Sequence, residues 1–302
     1  MYLPTIRQLQ YLLAVIELRH FGRAAEHCFV TQSTLSSGIQ ELEAALGAQL
    51  IERTKRKVLP TPLGFEVAEK ARDILRISSD IIVLSHKDKH PLSGEIRLGT
   101  IPTIAPFLLP KVLSPLRQAF PELILLLIED QSANLLKRLE SGEIDCAILA
   151  MPYPLGKLES QKIGEELFWV ALPKDDPLAK LTRISSDQLS LERLLLLEDG
   201  HCLRDHVISA CHAKNNHVSQ ASAPFQGTSL YTLIEMVSGG QGVTLVPEMA
   251  LDSALLKQTE IDLRPLAEPG PHRELALIWR STSHLKSDLK LLAEKLAALV
   301  AA

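Results

Sequence analysis

The sequence predicts an α/β protein preceded by a helical N-terminal unit, with one long helix joining the two. Three observations predict it. Residues 5–46 carry three short helical segments, the first and third opened by a capping threonine and lined with apolar residues at helical spacing. Residues from Pro62 to about His86 read as a single long helix, opened by a proline at its first position. From Glu95 onward, apolar runs of strand length alternate with helical stretches, the mark of an α/β domain built on a largely parallel sheet or sheets.

Thr5 is placed to cap a first helix through Arg19, with Leu9, Leu12, Leu13 and Ile16 on one face. Phe21-Gly22-Arg23-Ala24-Ala25-Glu26 opens a second. Thr31 caps a third, Gln32 to Leu46, whose apolar positions are Leu35, Ile39, Leu42 and Leu46, and Gly47 ends it. Helix, turn and capped helix within about 20 residues is the helix-turn-helix pattern. The third helix presents Gln32, Ser33, Thr34, Ser36, Ser37 and Gln40, side chains able to hydrogen-bond base edges and phosphates of double-stranded DNA. Leu50 to Thr61 reads as two short strands around a turn. It holds Arg53, Lys55, Arg56 and Lys57, four cations in five residues, suited to lie on a phosphate backbone. The alternative is a helical bundle that binds protein, with a solvated charge run at its edge.

Net charge is −4 over 302 residues, which argues against an overall nucleic-acid binder, but its distribution is uneven. Residues 1–90 sum to +2 and the remainder to −6. Apolar residues make up 46% and aromatics only 4%, so the cores are expected to be aliphatic. No apolar run approaches the roughly 20 residues of a membrane span, no signal-peptide pattern is present, and four irregularly placed cysteines do not form a secreted disulfide scaffold. A cytoplasmic protein without a membrane partner is expected.

On the long helix, Val67, Ile74 and Ile81 recur every seven residues, a short seam for a second copy of the chain. His86 to Gly94 is polar and broken by Pro and Gly, which reads as a linker. Strands are expected at Ile96–Leu98, Leu123–Ile128, Cys146–Ala150, Phe168–Leu172, Leu194–Leu197, Val243–Val246 and Leu275–Trp279. Helices are expected at Ser229–Val237 and Leu285–Val300. Gly239-Gly240-Gln241-Gly242 follows a helix, not a strand, so it reads as a tight turn and not as a phosphate loop.

Cys202 and Cys211 carry the chemistry. Asp199 or Gly200 is placed to cap a helix with Cys202 in its first turn, where the helix dipole favours a thiolate. His201 and Arg204 add donors, while Glu198, Asp199 and Asp205 oppose. On one continuous helix nine residues rise about 13 Å, whereas a disulfide needs Cα atoms within about 7 Å. Oxidation of this pair is therefore incompatible with such a helix, the logic of a two-state switch. Two other readings stand beside it: buried structural cysteines, as expected for Cys28 and Cys146, and a metal site among His201, His206, His212 and His217. The last fits no compact zinc spacing, so no metal and no cofactor are expected.

Residues 5–65 closely resemble the winged helix-turn-helix of LysR-type transcription regulators. The resemblance is carried by Phe21, Ala24-Ala25, Thr31-Gln32-Ser33, Leu35-Ser36, Ile39, Leu42-Glu43, Leu46-Gly47, Leu50, Arg53 and Thr61-Pro62-Leu63-Gly64. It implies a DNA-binding domain at 1–61, in which Thr61 joins the contact residues. It further implies a dimerising linker helix at 62–90 and a two-lobed effector domain of periplasmic-binding-protein-like α/β type at 91–302. Lobe I would comprise 91–165 and 268–302, lobe II 166–267. The effector region is similar to peroxide-sensing members of that family through Ile101-Pro102-Thr103, Leu108-Leu109-Pro110, Ser141 to Cys146, Leu197 to Asp205 and Gly242 to Pro247. That similarity implies a peroxide-reactive Cys202 resolved by Cys211, with Thr103, Ser132, His201 and Arg204 lining the peroxide pocket. Departures are Gln40 and Glu41, where relatives often carry cations, and Pro224, where they often have a histidine.

The implied protein is a DNA-binding, hydrogen-peroxide-responsive regulator, homodimeric or homotetrameric, reset by a cellular thiol reductant and acting with RNA polymerase. Two rivals share parts of these features: a regulator of the same architecture answering a small organic effector, and a thiol peroxidase, which leaves residues 1–60 without a role.

Overall fold

The structure, a computed structural model, describes residues 3–53, 58–84, 90–212, 226–227, 229–270 and 272–301. The chain divides into two compact units, Met1–Lys89 and His90–Ala302. Among the described residues no helix is long and apolar enough to cross a membrane.

The first unit holds α1 (Ile6–Leu18), α2 (Phe21–His27), α3 (Gln32–Leu46), the hairpin β1 (Ile51–Arg53) and β2 (Val58–Pro60), and α4 (Pro62–Leu84). Local chemistry sets each boundary. Thr5 and Gln8 form a reciprocal capping box at α1. His20 Nδ1 accepts from the Arg23 amide at the start of α2. Thr31 caps α3, and Gly47 ends it in the left-handed conformation. Leu12, Val15, Leu35, Ile39, Leu42, Leu50, Ile51 and Ala68 close over one aliphatic core. Leu46, expected on the buried face of α3, is 42% exposed at the last residue of the helix.

The hairpin is fastened at both ends. Glu43 Oε1 accepts from the amides of Leu50 (2.8 Å) and Ile51 (3.0 Å), tying α3 to β1. Thr61 donates its hydroxyl to the Gln49 carbonyl (3.0 Å) and accepts from the Gly64 amide (2.9 Å), capping α4. The hydroxyl of Thr61, expected among the DNA contacts, is thus engaged with Gln49 and Gly64 in this chain. Gly64 lies directly against the Leu50 carbonyl oxygen, where any Cβ would collide with backbone. Along α4, Ala68 and Ala71 are buried, whereas Ile74, Ile77 and Ile81 are 44%, 53% and 63% exposed within this chain. Lys55, Arg56 and Lys57 lie outside the described residues, as do residues 86–89 of the expected linker. Leu92, read as linker, is 1% exposed and its amide donates to Asp288 Oδ1, so the second unit already begins there.

The second unit runs β3 (Gly94–Thr100), α5 (Ala105–Ala119), β4 (Leu123–Glu129), α6 (Ser132–Ser141), β5 (Cys146–Met151), β6 (Leu158–Glu166), β7 (Phe168–Pro173), β8 (Leu196–Leu197), α7 (Cys202–His212), β9 (Gln226–Gly227), α8 (Leu230–Ser238), β10 (Thr244–Pro247), α9 (Ala254–Lys257), β11 (Ile261–Pro265), β12 (Arg273–Arg280) and α10 (Lys286–Val300). One lobe is a five-stranded sheet of order β4-β3-β5-β12-β6, and the other a three-stranded sheet of order β10-β7-β11. The sheets are mixed, not largely parallel. β3 runs parallel to β4 and β5, but β12 is antiparallel to β5 and β6, and every pairing in the smaller sheet is antiparallel. The cause is the double crossing of the chain: β12 re-enters the first sheet from the other lobe, opposite in direction to the strands already there. The edge strand β6 escaped the sequence reading because its residues are mostly polar and half-exposed.

Gly64→Ala should destabilise the first unit. Overpacking against backbone costs about 1–3 kcal/mol, more than the up to ~1 kcal/mol that alanine gains over glycine in a helix. In calorimetry of the full chain, the transition of this unit should drop by roughly 4–8 °C per kcal/mol lost. An unmoved pair of transitions would contradict the close approach of α4 to β1.

Candidate functional site

The site forms where the crossing segments meet the carboxyl ends of β3, β4 and β5, the usual ligand position of an open α/β sheet. Thr103 precedes α5 and is 2% exposed; Ser132 opens α6 and is 1% exposed. Cys202 opens α7 and packs, 5% exposed, in the core of the five-stranded lobe. The next buried residues of α7, Leu203 and Val207, belong to the core of the other lobe. The amino end of α7 thus spans both cores. Because α7 starts at Cys202, its cap position is held by His201 and not by Asp199 or Gly200.

Arg273, at the start of β12, is the residue the sequence reading missed. Its side chain is fully buried and paired with Glu166 at the end of β6. Its Nη1 donates to Thr103 Oγ1 (3.3 Å) and its Nη2 to the Thr103 carbonyl (3.2 Å), and its guanidinium lies 5.9 Å over the Phe168 ring. Glu166 Oε2 accepts from the Met249 amide at 3.2 Å. An arginine 71 residues after Cys202 in sequence gives no local signal; only the return of the chain brings it near.

Burial pushes the Cys202 thiol above its ordinary value. The Arg273 charge, the Ser132 hydroxyl and the Ala150 backbone pull the other way, and Asp205 adds to the rise. The Ser132 hydroxyl is buried beside this thiol without a hydrogen bond of standard geometry. Burial likewise holds the buried His201 below the usual imidazole range, opposed by Glu198 at 4.0 Å. His206, one turn after Cys202, is also held low, first by burial and then by the Arg273 charge; its Nδ1 is buried without a partner.

Arg204 stands differently from expectation. Its Nε pairs with Asp199 (3.0 Å) and its Nη1 donates to the Leu197 carbonyl (3.1 Å), which fastens the start of α7 to the loop before it. The charge acting on Cys202 comes from Arg273 instead. Cys146 is fully buried and its thiol is pushed far up by burial, so it is inert, whereas Cys28 is only half-buried. The backbone of Cys211 belongs to α7, but its side chain and those of His212, His217 and Pro224 lie outside the described residues. Among the described residues no cluster of three metal-ligating side chains is assembled.

On α3, Gln32, Ser33, Thr34, Ser37 and Gln40 are exposed on one side and Leu35, Ile39 and Leu42 buried on the other, with Ser36 half-buried. The Thr31 hydroxyl meets those of Ser33 (2.9 Å) and Thr34 (2.8 Å), so the start of this helix is a cluster of hydroxyls. The backbone of Arg53 ends β1; its side chain is not among the described ones.

Comparison with known proteins agrees with this architecture at both ends of the chain. Residues 6–65 match the bacterial regulatory helix-turn-helix proteins of the lysR family, and residues 89–301 match the LysR substrate binding domain. The chain is 42% identical over 302 residues to the HTH-type transcriptional regulator EstR of Acinetobacter baylyi, covering 99% of this chain and 98% of that protein. It is 40% identical over 289 residues to the hydrogen peroxide-inducible genes activator of Dickeya chrysanthemi, covering 96% and 93%. The solved structure of a full-length OxyR variant from Pseudomonas aeruginosa aligns at a TM-score of 0.80 and 32% identity, over 98% of this chain and 95% of that one. With its capped recognition helix, its hairpin wing and its two-lobed α/β unit, the chain belongs to the LysR family of DNA-binding transcription regulators, and is not an enzyme.

Proposed function

We propose that this regulator senses hydrogen peroxide through Cys202 and Cys211. The observation that carries the reading is the surroundings of Cys202: a buried thiol between the Ser132 hydroxyl, the Arg273 cation and the backbone of Ala150, at the amino end of the helix that also carries Cys211. The relative named as a hydrogen peroxide-inducible activator supports the same reading.

The Cys202 thiolate attacks one peroxide oxygen, the O–O bond breaks, and sulfenic acid and hydroxide form. The Cys211 thiol then displaces the sulfenic oxygen as water, giving the disulfide. Ser132 offers a donor and acceptor to the peroxide. Thr103 holds Arg273 in place, His201 caps the reacting helix turn, and Arg204 fastens that turn to its loop. A cellular thiol reductant resets the pair. Along α7 the two Cα positions are about 13 Å apart, so bond formation unwinds the helix, withdraws Cys202 from one core and disturbs Leu203 and Val207 in the other. That refolding is the signal passed to the DNA-binding unit and to RNA polymerase. DNA is read by Gln32, Ser33, Thr34, Ser36, Ser37 and Gln40, with phosphates held by Arg53, Lys55, Arg56 and Lys57. A second reading, a regulator answering a small organic effector, is favoured by two observations. The equally similar EstR carries no peroxide in its name, and burial leaves Cys202 largely protonated.

Three outcomes test the proposal. Mass spectrometry after stoichiometric peroxide should find a 202–211 linkage in the native chain and none in Cys202→Ser. In Cys211→Ser, sulfenic or over-oxidised Cys202 should accumulate. A native chain left unlinked hands the case to the small-effector reading.

Because burial raises the Cys202 pKa, the thiolate is the minor form at neutral pH, and the rate of oxidation should climb with pH through and above 7. Arg273→Gln should shift that climb to higher pH. A rate independent of pH between 6 and 9 would mean that thiolate formation does not limit the reaction.

The exposed stripe of Ile74, Ile77 and Ile81 is read as the seam with a second copy of the chain. Ile74→Glu with Ile81→Glu should give monomers in sedimentation and weak operator binding, while circular dichroism stays native. An assembly of unchanged mass would place the seam elsewhere.

A further inference from the structure

Phe29 is the most exposed large apolar side chain described, at 95%. It sits in the turn between α2 and α3, two residues before the Thr31 cap of the recognition helix. The turn is a Schellman motif closing α2. The Val30 amide donates to the Ala25 carbonyl (3.0 Å) and the Phe29 amide to the Glu26 carbonyl (3.1 Å), which places Phe29 at the left-handed position, φ +56°. Glycine fills that position at no steric cost, as Gly47 does at the end of α3. A phenylalanine there takes on backbone strain and leaves an aromatic ring in water.

Leu92 makes the contrast. It too has a positive φ, +54°, but its side chain is 1% exposed in the core of its unit. Arg19, at +48°, is a solvated cation at the end of α1. Phe29 alone of the three gains neither burial nor hydration from its conformation.

The ring stands exposed two residues before the Thr31 cap of the helix whose first exposed residues are Gln32, Ser33 and Thr34, and a helix-turn-helix sets the start of that helix into the major groove. A hydrocarbon ring finds no partner on a phosphate. In the major groove the apolar group is the C5-methyl of thymine. We propose that Phe29 is a specificity residue that packs on a thymine methyl at the edge of the groove, beside the start of α3. The proposal rests on α3 being the recognition helix.

The test uses the full chain and a duplex selected by it from a randomised pool, made once with thymine and once with deoxyuridine throughout, which removes every C5-methyl. Phe29→Gly relieves the left-handed strain, so its first-unit melting temperature should be equal to or above that of the native chain. Its affinity for the thymine duplex should fall on the order of tenfold. Deoxyuridine should cost the native chain about fourfold more than it costs Phe29→Gly, the worth of one buried methyl. The salt slope should not change, because no phosphate contact is lost.

Gln32→Ala on the same duplex reads the recognition helix separately. If it weakens binding while Phe29→Gly does not, the Phe29 contact is wrong and the helix assignment stands; if neither weakens binding, both are wrong. Equal losses on deoxyuridine for native chain and Phe29→Gly overturn the methyl contact. A lower sedimenting mass for Phe29→Gly also overturns it, since the ring would then be held by a second copy of the chain.

Discussion

The second unit depends on one buried ion pair. Arg273 and Glu166 face each other with almost no solvent, on the two segments where the chain passes between lobes. A buried charge is tolerated only when paired and hydrogen-bonded, and removing one partner of such a pair costs about 3–5 kcal/mol. Here the remaining valences are used. Glu166 accepts from the Met249 amide, and Arg273 donates to Thr103. A neighbouring contact runs from the Phe168 amide to His272 Nδ1 (2.7 Å), and the two rings stack at 5.6 Å. These bonds pin the lobes at their crossing and, as a consequence, fix a cation near Cys202. The same pair thus serves architecture and chemistry.

Around that fixed point the amino end of α7 is the element with divided allegiance. Cys202 belongs to one core, Leu203 and Val207 to the other, and Arg204 is tied to the loop before the helix. A covalent change at Cys202 cannot be absorbed within one lobe, because close-packed cores respond by discrete rearrangement and not by gradual deformation. Cys146 shows the opposite arrangement. It sits in the middle of the five-stranded sheet, wholly enclosed, where oxidation would have neither access nor outlet.

In the DNA-binding unit the constraint is close approach. Gly64 lets α4 rest on the Leu50 carbonyl, Glu43 takes the first two amides of β1, and Thr61 spends its hydroxyl on both a carbonyl and a cap. Three residues of one short motif thereby fix the wing against the recognition helix. Among the described side chains of the long helix that follows, Ala68 and Ala71 are buried within this chain and Ile74, Ile77 and Ile81 are exposed.

The sequence by itself determined the local elements. Thr5, Thr31 and Gly47 bound their helices because caps satisfy backbone groups within a few residues, and the apolar run Cys146–Ala150 became the buried strand β5, whereas the apolar run of β4 became an edge strand with Ile124, Leu126 and Leu127 exposed within this chain. It also determined the family, since the motif residues of both units lie in continuous stretches. Tertiary structure decided what depends on distant partners. The antiparallel entry of β12, the polar edge strand β6 and the burial of Leu92 follow from where the chain returns. So do the in-chain partners of the Thr61 hydroxyl, the engagement of Arg204 with Asp199, and the choice of Arg273 as the cation beside Cys202. The physical reason is one of range: capping and periodicity act over about four residues, whereas the electrostatics of a buried thiol depend on whichever charge the fold carries within a few ångströms of it.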